Sequence, residues 1–356
     1  MNSVNRESLC LRRLSYIAPF TVSFIAFLLL GLFSARFYYF VQSPNVNVKG
    51  KENTYLYIPT GTNFSGLLRI MKEKHILRNE NSFIFVALRK HYEKRVKPGR
   101  YRVREGMSNN ELINHLRSGI QEPVRLNIQS ARTVAELAGK LGHQIEADST
   151  SLMKLFSDPS YLKQFGINTD NVFVLFIPNT HEILWNTSAS QLMRKMSIEQ
   201  NSFWNAKRRM RIDSTGMNIE QVVTLAAIVE KETNKDSEKP DIAGVYINRL
   251  RKGWPLQADP TIIYAWQDYS IKRLTGRHLK IESGYNTYMH TGLPPGPICI
   301  PSISSIDAVL NFRNHRYMYF CAKDDLSGYH NFAVSLTEHR LNAKNYQKAL
   351  DHLNIK

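Results

Sequence analysis

Cysteine is scarce, with three residues in 356, too few for a disulfide framework. Cys10 stands before the one long apolar run rather than after it, which is not the place of a lipid-modified cysteine. Cys299 and Cys321 could pair in an oxidising compartment or stand as buried free thiols, and no Cys/His spacing suggests a metal site. Acidic residues are also in deficit: 30 Asp and Glu face 47 Lys and Arg, leaving a net charge of +17. Such a balance points to an anionic partner or surface. The excess is densest where Arg89, Lys90, Lys94, Arg95, Lys97, Arg100, Arg102 and Arg104 meet only Glu93. Zinc-finger spacing, an RNA-binding aromatic signature and basic-zipper heptads are all missing, which sets nucleic acid aside. Internal repeats and low-complexity linkers are missing too, so the boundaries between parts of the chain are soft.

What is present begins with residues 14–35, a run of 22 without a charge. As a helix it would be about 33 Å long against a bilayer core of roughly 30 Å. Pro19 falls near its start, where a helix tolerates proline best. A signal peptide has a shorter apolar region and a small-residue cleavage site. Here the run leads instead into Phe37, Tyr38, Tyr39 and Phe40, the composition of an interfacial aromatic belt, and an uncleaved anchor is expected. Arg6, Arg12 and Arg13, opposed by Glu7, place the N-terminus in the cytoplasm and everything after about residue 42 outside it. No second span follows, so the remainder reads as one tethered ectodomain, long enough for roughly two or three domains with the anchor included.

Residues 50–120 read as a small α+β unit. Tyr55 to Pro59 suit a short strand; 64–76 and 82–92 suit helices; Pro98 and Gly99 break the chain before Arg100, Tyr101, Arg102 and Val103, an alternating strand with its basic residues outward. Ser108 and Glu111 form a capping box for a helix ending at Gly119. Such a unit could bind a polymer or serve as a spacer. Further on, 124–128 suits a strand, Thr133 and Glu136 cap a helix, and Asp158, Pro159 and Ser160 mark a turn. An apolar run over 171–177 is stopped by Pro178, and 188–211 is mostly helical.

The stretch of most interest is 217–233, MNIEQVVTLAAIVEKET. Asn218 and Gln221 have the spacing of a capping box, and Val222, Val223, Ala226, Val229 and Glu230 share one helical face. No cation stands three or four positions from Glu230, at Ala226, Ala227, Thr233 or Asn234. A carboxylate against apolar groups without a counter-ion has a raised pKa and can act as a general acid near neutral pH. The same pattern is also met by a carboxylate that emerges into water at a helix end. Next come Leu256, Gln257, Ala258, Asp259, Pro260 and Thr261, where proline puts Asp259 on a loop or a helix start. The stretch Tyr285, Asn286, Thr287, Tyr288, followed by GLPPGPI over 292–298, offers amide, hydroxyl and phenol groups on a rigid Gly/Pro-rich loop. These groups suit a polyhydroxylated ligand or an ordinary packed turn.

LAAIVEKET, VYINRL, LQADPT, YNTY and GLPPGPI, in this order over residues 225–298, resemble the YceG-like endolytic murein transglycosylases. Residues 177–181 and 327–332 resemble family segments as well, the latter with a lone His330; after GLPPGPI the chain departs from the family, with Cys299, Ile300, Pro301 and Ser302 in place of an Asn-Pro-Gly-like turn. The resemblance implies an α+β protein with a single N-terminal transmembrane helix, a LysM-like α+β module and an α+β catalytic domain. The expected division is 1–13 cytoplasmic, 14–41 anchor, 50–120 LysM-like, 121–212 connecting and 213–356 catalytic. It implies cleavage between N-acetylmuramic acid and N-acetylglucosamine inside peptidoglycan strands, leaving 1,6-anhydromuramyl ends and ending strand growth. The first glutamate of IVEKET, Glu230, is then the catalytic residue, acting alone, with Glu232 on a different side of the helix and unable to replace it. Gln257, Asp259, Tyr285, Asn286 and Thr287 are the candidates for holding the sugar. No cofactor or metal is required; the implied partners are glycan strands, the bacterial plasma membrane and peptidoglycan synthases. The rivals are a hydrolase using Glu230 and Asp259, and a murein-binding scaffold without activity.

Overall fold

A computed structural model describes residues 4–48 and 54–352, with side chains from Val22 onward. Arg6, Glu7, Cys10, Arg12 and Arg13, the start of the 50–120 unit and the last residues of the chain therefore lie outside the described side chains. The chain divides into two units, Met1–Pro123 with Leu184–Asn186, and Val124–Ile183 with Thr187–Lys356.

The first unit opens on helix α1, Val4–Gln42. Its segment Val22–Gln42 is long and apolar enough to cross a membrane, and every side chain from Val22 to Tyr39 is exposed. Of the four expected interfacial aromatics, Phe37, Tyr38 and Tyr39 are exposed, and Phe37 and Phe40 also pack edge-on against Phe85. Strand β1 (Thr54–Ile58), helices α2 (Phe64–Glu73) and α3 (Glu80–Arg89) and strand β2 (Gly99–Val103) follow, then α4 (Asn109–Ser118). The strands pair antiparallel, Thr54 opposite Val103 and Ile58 opposite Gly99. Alternation sends Leu56, Ile58, Tyr101 and Val103 into a core with Leu67, Met71, Phe83 and Leu116. Arg100 and Arg102 face outward as expected. The basic run is partly spent within the unit: Arg100 lies 3.5 Å over the Tyr55 ring, Lys90 bonds Asn110 and Asn114, and Lys97 donates to the Ser118 carbonyl. The Ser108/Glu111 capping box forms, and Gly119 ends the helix at a φ of 74°.

The second unit is mainly helical. Strand β3 (Val124–Asn127) pairs antiparallel with β4 (Thr180–Ile183), a partner that the sequence did not suggest. Between them lie α5 (Val134–Gly142), α6 (Ser149–Phe156) and α7 (Pro159–Leu162). The apolar run over 171–177 is buried and holds a 3-10 turn, Val172–Leu175. The stretch 188–211 is mostly helical as expected, in two helices, α8 (Ala189–Phe203) and α9 (Ala206–Thr215). They part at Trp204, which is fully buried, and Asn205 caps the second by accepting from Arg208 N.

Helix α10, Ile219–Glu232, is the axis of this unit. Its capping box forms in both directions, Asn218 with Gln221, at 2.9 Å each. Val222 through Val229 are buried without exception, so the helix is enclosed on every side rather than along one stripe. Around it pack α11 (Lys239–Arg251), α12 (Asp259–Trp266) and α13 (Ile303–Leu310). Hairpin β5 (Tyr319–Ala322) and β6 (His330–Ala333) and helix α14 (Leu336–His352) complete the chain. Cys299 and Cys321 are both free thiols, so they do not pair.

Candidate functional site

Because α10 is enclosed along its length, its polar side chains can meet solvent or a ligand only at its ends. Glu230 and Glu232 stand in its last turn, about 200° apart around the axis, and their surroundings are opposite in character.

Glu230 faces the start of α13. Its Oε2 accepts from Ser302 Oγ and Ser305 Oγ at 2.5 Å each, from the Ser302 backbone N–H at 3.4 Å and from Lys239 Nζ at 3.2 Å. The Lys239 side chain is 6% exposed and also bonds Asp236 at 2.7 Å. Burial alone would raise the Glu230 pKa. The hydroxyls of Ser302 and Ser305 and the charge of Lys239 together outweigh it and hold the carboxyl below its ordinary range. The two physical grounds for choosing Glu230 as the acid, apart from its place in the IVEKET motif, are therefore reversed. The cation missing at helical spacing arrives from the first turn of α11, nine residues on, and the pKa moves down, not up.

Glu232 stands at the floor of a groove of about 340 Å³, shared with Tyr246 and Arg249 of α11, Gln257, Asp259, Tyr288, Tyr319 of β5 and His339 of α14. The residue as a whole is of intermediate exposure, while its carboxyl is surrounded by protein. Burial pushes the pKa up to about 7; the charge of Asp259 adds to this, against a hydrogen bond from Tyr246 and the charge of Arg249. The Tyr246 hydroxyl donates to Glu232 Oε1 at 2.5 Å. Arg249 is buried and locked in the wall, donating to the carbonyls of Met318 at 2.8 Å and Leu256 at 2.6 Å. His339 stacks on Tyr319 with ring centroids 5.2 Å apart, and its buried Nδ1 has no protein partner. Burial and the nearby Arg249 charge lower its pKa. Two carboxyls two residues apart, one pushed down and one up, are the arrangement that separates a structural ion from an acid.

The five expected sugar contacts divide. Asp259 is the first residue of α12, exposed, and its carboxylate accepts from the Tyr288 hydroxyl. Gln257 is exposed beside it with a left-handed φ of 50°, a conformation uncommon outside glycine, and its N–H donates to the Thr287 carbonyl at 2.9 Å. Asn286 and Thr287 are corrections: both are buried and their side chains are consumed by the turn. Asn286 Nδ2 donates to the carbonyls of Leu279 and Ile281, and its Oδ1 accepts from Tyr288 N. Thr287 Oγ1 accepts from Ala258 N and meets Thr261 Oγ1 at 2.8 Å. Tyr285 is also outside the groove, packed on Tyr264 with centroids 4.7 Å apart. The Gly/Pro loop after it is largely buried: a Cβ on Gly296 would stand 2.1 Å from the Asp170 carbonyl oxygen. Its rigidity thus comes from close packing. His330 is structural too, binding Glu238 through its N–H at 2.7 Å and Nδ1 at 3.0 Å.

The sequence pointed to the stretch that holds Tyr288 but not to Tyr246, Arg249, Tyr319 or His339. Tyr246 and Arg249 had a signal, since i and i+3 share a helix face. Tyr319 and His339 had none. Among the described residues no group of three or more His, Cys, Asp or Glu is placed to hold a metal ion.

The sequence profile of the YceG-like family matches residues 56–345. The endolytic murein transglycosylase of Bacillus subtilis is 26% identical over 317 residues, covering 85% of this chain and 87% of the relative. That of Streptococcus pneumoniae D39 is 26% identical over 344 residues; 86% of this chain is covered, and the chain spans 62% of that protein. A crystal structure of a YceG-like protein from Listeria monocytogenes matches with a TM-score of 0.53 at 27% identity, over 82% of this chain and 99% of the other.

Proposed function

This chain belongs to the YceG-like family, and from that premise we propose that it is an endolytic murein transglycosylase whose acid and base are one residue, Glu232. The observation that carries this is the Glu232 carboxyl, its pKa pushed up to about 7 by burial in the lining of a polar groove, in a chain whose relatives bear that name.

The chemistry needs one proton to move twice. Protonated Glu232 gives its proton to the glycosidic oxygen as the muramyl C1–O bond breaks. Positive charge builds on C1 and the ring oxygen, and the Asp259 carboxylate, held by Tyr288, stands in the same groove to offset it. Glu232, now a carboxylate, takes the proton of the muramyl C6 hydroxyl as that oxygen closes on C1. The sugar supplies the nucleophile, so Glu232 ends as it began and the product end is 1,6-anhydromuramyl. Gln257 and His339 line the groove as sugar contacts.

Residues 50–120 are read as a LysM-like glycan-binding module, supported by the strand–helix–helix–strand order and separate core of the described residues. The N-terminal helix anchors the chain in the plasma membrane with its N-terminus in the cytoplasm and the catalytic unit outside. Nascent glycan strands, and the synthases that make them, are then the neighbours, and cutting ends strand growth.

The test is the chemistry of the new ends. Murein digested by the full chain and analysed by mass should yield anhydromuramyl ends, lighter by one water than hydrolytic ones. Reducing muramyl ends would transfer Glu232 and Asp259 to a hydrolase, and uncut strands would leave a binding scaffold.

A further inference from the structure

The two acidic groups of the groove each have a neighbour in sequence that belongs to a different cavity. Lys231 precedes Glu232 and Pro260 follows Asp259, and both line a cavity of about 200 Å³. Its other walls are Ile263 and Tyr264 of α12, Ile298, Tyr269 and Arg132. The Arg132 guanidinium lies 5.0 Å from the centre of the Tyr269 ring, and the Tyr269 hydroxyl donates to the Arg132 carbonyl at 3.3 Å. Glu136, which accepts the Arg132 backbone N–H, is itself ion-paired with Lys140 at 2.6 Å. Among the described residues neither Arg132 nor Lys231 makes an ion pair. The cavity is thus largely apolar at its walls and carries two exposed cations that make no ion pair, with the Asp170 carboxylate near Tyr264 and that of Glu136 near Tyr269. Its complement is an anion with short apolar groups beside its carboxylates.

We propose that this cavity is a subsite for the acidic stem peptide of the murein strand, which makes peptide-bearing glycan the preferred substrate. The inference rests on the reading of the groove as the site of murein cleavage. The stem leaves the strand from the lactyl group on the muramyl ring, the same sugar whose C1–O bond is broken. A strand seated with that bond at Glu232 therefore carries its peptide within reach of the residues flanking Glu232 and Asp259. Stem peptides combine alanine methyl groups with free carboxylates, which match the apolar wall and the two cations. A stripped glycan has neither and leaves the cavity to water.

The test uses the full chain in detergent with Glu232→Gln to halt turnover, and three ligands. These are uncross-linked strands with their stems, the same strands stripped by an amidase, and strands whose stem carboxyls are amidated. Loss of charge-assisted contacts is worth about tenfold in affinity, so intact strands should bind about tenfold more tightly than either altered form. In the Arg132→Gln/Lys231→Gln variant the ratio should fall to about one. The amidated ligand asks the same question of a chain without those substitutions, so a folding defect in the variant cannot mimic the result. Equal binding of the three ligands, or a preference that survives both substitutions, would overturn the subsite. Cleavage of intact, stem-bearing strands by the chain with Glu232 intact is scored separately. If anhydro ends form while the ligands bind equally, only the subsite fails; if none form, the reading beneath it fails.

Discussion

Glu232→Gln is expected to cut the rate of strand cleavage by about 10²–10⁴-fold, the usual worth of a positioned general acid–base. Glutamine keeps the size and the contact with Tyr246 but can neither give nor take the proton. Glu230→Gln is expected to keep the rate within about tenfold, since Glu230 is an ion-paired carboxylate whose four bonds all tie α10 to Lys239 and the start of α13. The unsubstituted rate should fall above a pH of about 7, where Glu232 loses the proton that it must give. Initial rates of soluble fragment release from sacculi, taken on the two variants side by side, decide between the two glutamates. A dead Glu230→Gln beside an active Glu232→Gln would return the assignment to Glu230.

Lys239→Met should be the costliest substitution for stability among the charged residues near the site. The Lys239 side chain is 6% exposed, pairs with Glu230 and Asp236, and also donates to Ser302 and Ser304 at 3.3 and 3.1 Å. Removing one member of a buried pair costs about 3–5 kcal/mol because the other is left without its counter-charge. For a unit of this size that is a fall in Tm of roughly 6–20 °C. The double variant Lys239→Met/Glu230→Gln should recover part of the loss, because no charge is then stranded. The two glutamates enter the pH dependence with opposite signs. The folded-state pKa of Glu230 is depressed, so its contribution is present above the unfolded value and is lost as pH falls through the folded one. That of Glu232 is raised, so its contribution is complete below the unfolded value and is lost as pH rises through about 7. The penalty for Lys239→Met should therefore be larger at neutral pH than in acid, as thermal unfolding of the full chain at the two pH values would reveal.

The parts of this protein that could be read from its sequence are those set by neighbours a few residues apart. The capping boxes of Ser108/Glu111 and Asn218/Gln221 formed as their spacing suggested, because each is closed within one turn. The outward face of Arg100 and Arg102 followed from the two-residue period of a strand. The choice between Glu230 and Glu232 could not be read in this way. The cation of Glu230 comes from beyond the turn that ends α10, and the walls of the Glu232 groove come from α11, β5 and α14, up to His339. The apolar stripe misled as well, since a helix buried all round gives no face a special meaning. Asn286 and Thr287 were misjudged for a related reason. Polar side chains in a Gly/Pro-rich loop read alike whether they bind a ligand or close their own turn, and here they close the turn while Tyr288 reaches the groove.

The most direct test of the central claim is to titrate the two carboxyls themselves. With glutamate side chains labelled by carbon-13 in the full chain, and Glu230→Gln and Glu232→Gln used to assign the two resonances, the account expects Glu232 to titrate near a pH of about 7 and Glu230 below the ordinary carboxylate range. A Glu232 that is already ionised at pH 5, beside a Glu230 still protonated there, would contradict it.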